Sequence, residues 1–126
     1  KFSLDLTSNP DLAQTICITC LGLNIKCNLT GLHTLKIKET DRILALKNEL
    51  SKFNLKVKIT DDSISFENVD FLKPNVVIET YDDHRMAMSF ACLSTKTKII
   101  IKDPKVVSKS YKSFWEDLKK IGIICK

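Results

Sequence analysis

The sequence lacks any apolar run close to the ~20 residues that a helix needs to cross a bilayer. It also lacks a hydrophobic segment at its start, where Asp5 interrupts the pattern that a secretory signal requires. These absences argue against membrane insertion and secretion, and we predict a cytoplasmic protein with no membrane partner. The first residue is Lys1 and not a methionine, so we expect the chain to be part of a longer polypeptide.

Aromatic residues are few: six Phe, two Tyr and one Trp in 126 residues. The net charge of +5 favours anionic partners, but the lysines are scattered and do not form blocks. A nucleic-acid surface more often combines a basic stripe with aromatic side chains that stack on bases. Small phosphorylated or carboxylated ligands fit this charge balance at least as well, and we predict no nucleic-acid partner.

A second pair of metal ligands is also missing. Cys17 and Cys20 have the C-x-x-C spacing of some zinc and redox sites, but neither Cys27 nor Cys92 has another ligand nearby. Cys17 and Cys20 lie in the apolar run 15–21, where a free cysteine packs as a small hydrophobic residue. The odd total of five cysteines favours reduced thiols. We therefore predict buried structural thiols, with metal or redox chemistry as the less favoured alternative.

The spacing of apolar residues predicts an α/β (α+β) fold. Alternation predicts strands at residues 2–6, 26–30, 55–59, 63–66, 76–80 and 98–101. Three-to-four spacing predicts helices at residues 11–23, 39–53 and 84–93, and a last helix from a cap at Ser108 or Ser110 to about 121. The order indicates repeated βαβαββ units, about one and a half of them, whose missing strands come from elsewhere.

Residues 35–53 contain the most informative junction. Lys38 and Glu39 are predicted at a strand-to-helix turn, and Arg42 follows one turn later, so its guanidinium and the Glu39 carboxylate should share a face. A separate apolar stripe is predicted to face the core: Ile43, Leu46, Leu50 and Phe53. The predicted helix would then expose charged side chains at its first turn and bury the apolar stripe of its remaining turns in the core.

Charged residues are found at the start of every predicted helix, at Asp11, at Lys38 to Arg42, at Asp83, His84 and Arg85, and at Lys109. Such ends of α/β elements can converge on a ligand. A cation in the first turn opposes the helix dipole, so three such cations favour a bound anion: Arg42, Arg85 and Lys109. The two carboxylates Asp11 and Glu39 suit proton transfer, and His84 could hold or relay a proton.

Structural explanations of the same residues stay open. Asp11 and Asp83 could serve only as helix caps, because carboxylates favour the positive end of the helix dipole. Arg42 could simply pair with Glu39 three residues earlier, and Lys109 could be a solvated surface charge.

Three motifs, taken together, resemble the EPSP synthase (3-phosphoshikimate 1-carboxyvinyltransferase) family of enolpyruvyl transferases. They are Leu35-Lys-Ile-Lys-Glu-Thr-Asp-Arg-Ile, Asp83-His-Arg-Met-Ala-Met-Ser-Phe-Ala and Asp103-Pro-Lys-Val-Val-Ser-Lys-Ser-Tyr. Order and spacing also match, and the resemblance covers residues 6–122. It implies the enolpyruvyl transferase fold, in which two domains are each built from repeated βαβαββ units. Residues 1–126 would be the C-terminal part of the second domain, and the N-terminal domain would be absent from this chain.

The resemblance implies a reaction in the pathway to chorismate and the aromatic amino acids. The family transfers the enolpyruvyl group of phosphoenolpyruvate to the 5-hydroxyl of shikimate 3-phosphate and releases phosphate, with no metal or organic cofactor. By motif position, Asp11 resembles the aspartate that contacts the shikimate hydroxyls and accepts a proton. Glu39 resembles the glutamate that moves the proton at the methylene carbon, and Lys38 resembles a lysine that contacts the shikimate ligand.

The remaining motif positions concern phosphoenolpyruvate. Arg42 and Arg85 resemble the family's arginine clamp on this substrate, and Lys109 resembles the lysine that helps to bind it and to stabilise the departing phosphate. Asp83 and His84 would shape the same pocket. Thr34 lies where many members have an asparagine against the shikimate ring, so a hydroxyl replaces an amide there.

Catalysis in this family takes place in the cleft between the two domains. We therefore expect the isolated 126 residues to be inactive, and the full polypeptide to be an active monomer that uses its own N-terminal domain. Two other classes of protein are possible: a nucleic-acid binding module, and a homologue that has lost catalysis. The second is less favoured, because the charged residues at the motif positions are present.

Overall fold

The structure is a computed structural model that describes residues 2–67 and 71–125. Six strands and four α-helices lie in these ranges, and the predicted α/β class is confirmed. In chain order they are β1 (Phe2–Asp5), α1 (Ala13–Gly22), β2 (Cys27–Thr30), α2 (Arg42–Leu50), β3 (Val57–Ile59), β4 (Ile64–Phe66), β5 (Val76–Ile78), α3 (His84–Ala91), β6 (Ile99–Ile101) and α4 (Phe114–Lys120). The connection between the predicted strands 63–66 and 76–80 falls partly outside the described residues.

Short 3-10 segments connect several of these elements. They are Pro10–Leu12, His33–Ile37, Ser51–Phe53, Cys92–Thr95 and Pro104–Lys109. Three of them contain residues that the sequence singled out as site candidates: Asp11, Thr34 and Lys109.

The strands form two sheets. The larger has the order β1-β2-β4-β3, with β1 parallel to β2 and with β4 antiparallel to both β2 and β3. The smaller pairs β5 with β6 in parallel. Residues 2–66 therefore have the predicted βαβαββ order, and β5-α3-β6-α4 has the order of its first four elements. That a whole unit repeats stays a prediction.

The larger of two hydrophobic clusters among the described residues contains side chains of both sheets and of α1, α2 and α3. The predicted apolar stripe of α2 and the turn after it is buried: Ile43, Leu46, Leu50 and Phe53. The first three cysteines are also buried as free thiols: Cys17, Cys20 and Cys27. This agrees with the structural role predicted for them, because they pack among apolar side chains.

Two predicted helix starts are wrong, and capping explains the first. Helix α2 begins at Arg42 and not at residue 39, because the Asp41 side chain accepts the Leu44 backbone N–H at 3.1 Å and caps the helix there. Lys38 and Glu39 therefore precede the helix. The predicted last helix starts at Phe114, four residues or more after Ser108 or Ser110.

The later start of the last helix leaves Lys109 outside that helix. Lys109 ends the 3-10 segment that Pro104 begins, and it does not lie in the first turn of an α-helix. The dipole argument for anion binding therefore fails at Lys109, while Arg42 and Arg85 do lie in first turns.

No helix in the described ranges is both long enough and apolar enough to span a membrane.

Gly31 offers a test of the turn after β2. Its φ of +75° is a left-handed conformation, and an added Cβ would collide with the Asp5 and Thr7 side chains and lie 2.5 Å from the Thr7 backbone nitrogen. We expect Gly31→Ala to lower the free energy of unfolding by at least about 2 kcal/mol, as measured by urea denaturation of the full polypeptide.

Gly122→Ala is the matched control for Gly31→Ala. Gly122 also has a positive φ, +101°, but apart from its chain neighbours no heavy atom of the described residues lies within 4 Å of an added Cβ. Its substitution should therefore cost only backbone strain. Equal losses from the two substitutions would contradict the role of the close approach at Gly31.

Candidate active site

Arg42 lies at the centre of a cluster formed by the starts of α2 and α3 and the segment Pro10–Leu12. Its side chain is only 2% exposed. Its Nε donates to Asp83 Oδ2 at 2.8 Å, and its terminal nitrogens donate to Asp83 Oδ1 at 3.3 Å, to Asp11 Oδ1 at 3.1 Å and to Glu39. The structure thus brings together four residues from three separate stretches of the sequence: Asp11, Glu39 with Arg42, and Asp83.

Asp83 joins three helices. It is fully buried, it caps α3 by accepting the Arg85 backbone N–H at 2.9 Å, and it holds Arg42 of α2. Gln14 of α1, also buried, donates to Asp83 Oδ2 at 3.4 Å. The sequence analysis missed Gln14, although an amide inside the apolar helix α1 was a signal that a buried polar partner would be needed.

The cluster continues on its exposed side with Lys38. Its Nζ lies 3.7 Å from Asp11 Oδ1, so Asp11 contacts two cations. The side chains of Asp11 and Glu39 are 42% and 43% exposed, in contrast to the buried Asp83. The two carboxylates predicted to transfer protons are therefore the ones that solvent or a ligand can reach.

Arg85 and Lys109 lie at the edge of the cluster. Lys109 is exposed and its Nζ is 3.4 Å from Asp82 Oδ1, which is exposed as well. Within residues 2–67 and 71–125, the Arg85 guanidinium forms no ion pair, so its charge is available to an anion. The structure does not place these two cations in direct contact with Arg42.

Thr34 is the remaining predicted contact. It lies on the segment His33–Ile37, and its hydroxyl is buried without a hydrogen-bond partner among the described residues. A buried hydroxyl that lacks a partner has capacity to bond a polar group.

His84 is surrounded by more positive than negative charge. Burial is the largest cause that lowers its pKa below the usual 6.5, and Arg85, Arg42 and Lys109 act in the same direction, against Asp83. The imidazole is therefore neutral at neutral pH, and can accept a proton or a hydrogen bond.

Glu39, Asp83 and His84 could each offer one ligand atom to a metal ion, since these atoms lie within 4.8 Å of one another. The Arg42 guanidinium already donates to both carboxylates, however, and an ion would have to displace it. The donor set therefore fits an arginine better than a metal. The absence of a metal stays a prediction from sequence.

Comparison with known proteins agrees with this fold. The family model described as EPSP synthase (3-phosphoshikimate 1-carboxyvinyltransferase) matches residues 2–118. A 3-phosphoshikimate 1-carboxyvinyltransferase of Bacteroides fragilis is 47% identical over 94% of this chain, and one of Neisseria meningitidis serogroup B is 39% identical over 92%. The solved structure of EPSP synthase from Acinetobacter baumannii is similar with a TM-score of 0.78 and 27% identity over 90% of this chain.

These matches define a class of protein, the carboxyvinyl transferases with an α/β fold. The chain belongs to the EPSP synthase (3-phosphoshikimate 1-carboxyvinyltransferase) family. It spans 30% of the length of the Bacteroides relative and 27% of the Neisseria relative and of the Acinetobacter chain.

Asp83→Ala should destabilise the protein strongly. The substitution leaves the buried Arg42 without its main partner, and breaking a buried ion pair in this way costs about 3 kcal/mol or more of the free energy of unfolding. Urea denaturation of the full polypeptide measures the loss. Asp41→Ala is the matched control, because Asp41 also caps a helix but does not contact Arg42, and it should cost about 1 kcal/mol. Equal losses would show that Asp83 acts only as a cap.

His84 should titrate below pH 6.5. Because its pKa is lowered in the folded state, the unfolded state binds more protons between that pKa and 6.5. Stability should therefore rise with pH through this window, and His84 should add no further pH dependence below its folded-state pKa. Imidazole NMR signals recorded against pH, assigned with His84→Asn, give the midpoint. A midpoint at or above 6.5 would contradict the lowering of the His84 pKa by burial and by the three nearby cations.

Proposed function

We propose that the full polypeptide transfers the enolpyruvyl group of phosphoenolpyruvate to the 5-hydroxyl of shikimate 3-phosphate and releases phosphate. The observation that carries the proposal is the cluster around Arg42, in which Glu39, Asp11 and Lys38 meet in a chain of this family. Two accessible carboxylates beside several cations suit a reaction that moves protons on anionic substrates.

Phosphoenolpyruvate carries a carboxylate and a phosphate, and we assign its binding to Arg42, Arg85 and Lys109. Arginine offers forked donors that match both kinds of group, and lysine adds a point charge. The free guanidinium of Arg85 supports its role. Lys109 would exchange its exposed contact with Asp82 for the phosphate, because an exposed ion pair contributes little.

Arg42 is matched by three carboxylates, so a bound anion has to replace some of them. Asp83 holds the Nε side and is buried, whereas Glu39 and Asp11 face the terminal nitrogens from the exposed side. Substrate binding would displace the exposed pair and leave Asp83 in place. Glu39 would then be free of Arg42 when it donates its proton to the methylene carbon and later removes one.

Shikimate 3-phosphate would be bound by Asp11, Thr34 and Lys38. Asp11 would accept the proton of the attacking hydroxyl, and Lys38, 3.7 Å away, would stabilise its charge beforehand. The Thr34 hydroxyl, which has no partner among the described residues, would bond the ring. Asp83 and His84 would support the pocket, the latter as a neutral imidazole.

The rest of the pocket would come from the N-terminal domain of the same polypeptide. We propose that residues 1–126 form the C-terminal part of the second domain, and that the full polypeptide works in the cytoplasm as a monomer without cofactor, membrane or nucleic acid. The chain spans under a third of its relatives, which supports a division of the site between this chain and the missing portion.

A coupled phosphate-release assay with both substrates tests the function. The full polypeptide should release phosphate, and the isolated 126 residues should not. Glu39→Gln should lower kcat by about a hundredfold to ten-thousandfold, because the amide cannot donate or accept the transferred proton.

Glu116→Gln is the matched control for Glu39→Gln. Glu116 also pairs with a cation three residues later, Lys119 at 3.2 Å, but on α4 outside the cluster. It should leave kcat unchanged. A full polypeptide that releases no phosphate would refute the function, and turnover by the isolated chain would refute the divided site.

A further inference from the structure

Glu49 is a buried carboxylate that the proposed chemistry does not use. It lies on α2 and is 1% exposed. Its Oε1 accepts the Glu79 backbone N–H at 2.9 Å and Lys52 Nζ at 2.5 Å, and its Oε2 accepts the Tyr81 hydroxyl at 2.6 Å. Two of these three bonds go to the connection between β5 and α3.

That connection has an unfavourable backbone. Tyr81 and Asp82 have φ values of +54° and +53°, a left-handed conformation that costs free energy for residues with a side chain. Such a turn persists only where its surroundings hold it. The Tyr81 hydroxyl reaches Glu49 on one side, and the Thr80 hydroxyl donates to the Lys102 carbonyl at 3.0 Å on the other.

The turn leads directly into Asp83, His84 and Arg85. Helix α2 therefore holds the same connection at two points, through Arg42 on Asp83 and through Glu49 on Tyr81. Residues seven apart share a helix face and are separated by about 10 Å along the axis. The two contacts together set both the place and the orientation of the turn.

The contact between Tyr81 and Glu49 persists across the physiological pH range. Burial, together with the bond to Glu49, raises the pKa of Tyr81 to about 12. The phenol therefore stays protonated and continues to donate to the carboxylate.

We propose that Glu49 and Tyr81 are positioning residues for the enolpyruvyl transfer. They hold the left-handed turn at Tyr81 and Asp82 so that Arg85 faces phosphoenolpyruvate and Asp83 faces Arg42. The inference rests on the function proposed above. A core contact alone would not require a charged group, because burying a carboxylate costs free energy that apolar packing avoids.

Tyr81→Phe in the full polypeptide tests the proposal, because it removes one oxygen and keeps the ring. The KM for phosphoenolpyruvate should rise about tenfold, the size expected for a lost hydrogen bond to a charged group. The KM for shikimate 3-phosphate should change much less, because Thr34, Lys38 and Asp11 lie outside the turn and only Asp11 is connected to it, through Arg42. Glu49→Gln should shift the same constant in the same direction.

Tyr111→Phe is the matched control. Tyr111, the second tyrosine of the chain, also donates to a carboxylate at 2.6 Å, that of Asp117, but at an exposed site near α4. It should leave both KM values unchanged. If Tyr81→Phe lowers the melting temperature but leaves the KM for phosphoenolpyruvate unchanged, or changes both KM values equally, the positioning role is wrong.

Amide hydrogen exchange gives a readout that needs no activity. Exchange of residues 79–85 should be faster in Tyr81→Phe and Glu49→Gln than in the wild type and in Tyr111→Phe, because the Glu79 N–H loses its anchored acceptor. Unchanged exchange overturns the proposal even in an active enzyme. A wild type that releases no phosphate refutes the enzyme function instead, and exchange then decides by itself whether Glu49 holds the turn.

Discussion

The buried ion pair between Arg42 and Asp83 is the interaction on which the site depends. Both side chains are almost completely excluded from water, so neither charge is tolerable without the other. The starts of α2 and α3 therefore have to meet, and Gln14 adds α1 to the same point. The buried polar contacts of Asp83 therefore help to fix the relative placement of these three helices.

The same ion pair gives the two sides of the Arg42 guanidinium different surroundings. Because Asp83 holds one side of the guanidinium, the fold keeps Arg42 in place whatever binds on its other side. Asp11 and Glu39 stand on that other side and are accessible. The three carboxylates outnumber the two cations, Arg42 and Lys38, so the inner cluster alone does not attract anions. Under the proposed function, the attraction for an anion would come from Arg85 and Lys109 at the edge of the cluster.

The sequence predicted the local elements and, by family resemblance, a shared site, but not the individual long-range contacts within it. Alternation and three-to-four spacing predicted the strands and the apolar face of α2, and the motifs placed Asp11, Glu39 and Arg42 in one site. The cap at Asp41 shifted the start of α2, and the 3-10 segment after Pro104 removed Lys109 from a helix start. The pairing of Arg42 with Asp83 joins residues 41 apart, and the bond from Glu49 to Tyr81 joins residues 32 apart. No spacing rule relates such partners, because tertiary packing decides them.

The buried charges of α2 are better explained by the orientation they impose on residues 79–83 than by a contribution to the stability of the core. Arg42 and Glu49 lie on one face of the helix, both are buried, and both are directed at residues 79–83. A leucine at either position would fill a core at lower cost, since each buried charge has to recover its lost hydration. What leucine could not do is orient a left-handed turn and the arginine after it. The helix holds these two polar contacts at a fixed separation. The two buried charges lower the stability of the core, and in return they fix the geometry of residues 79–83.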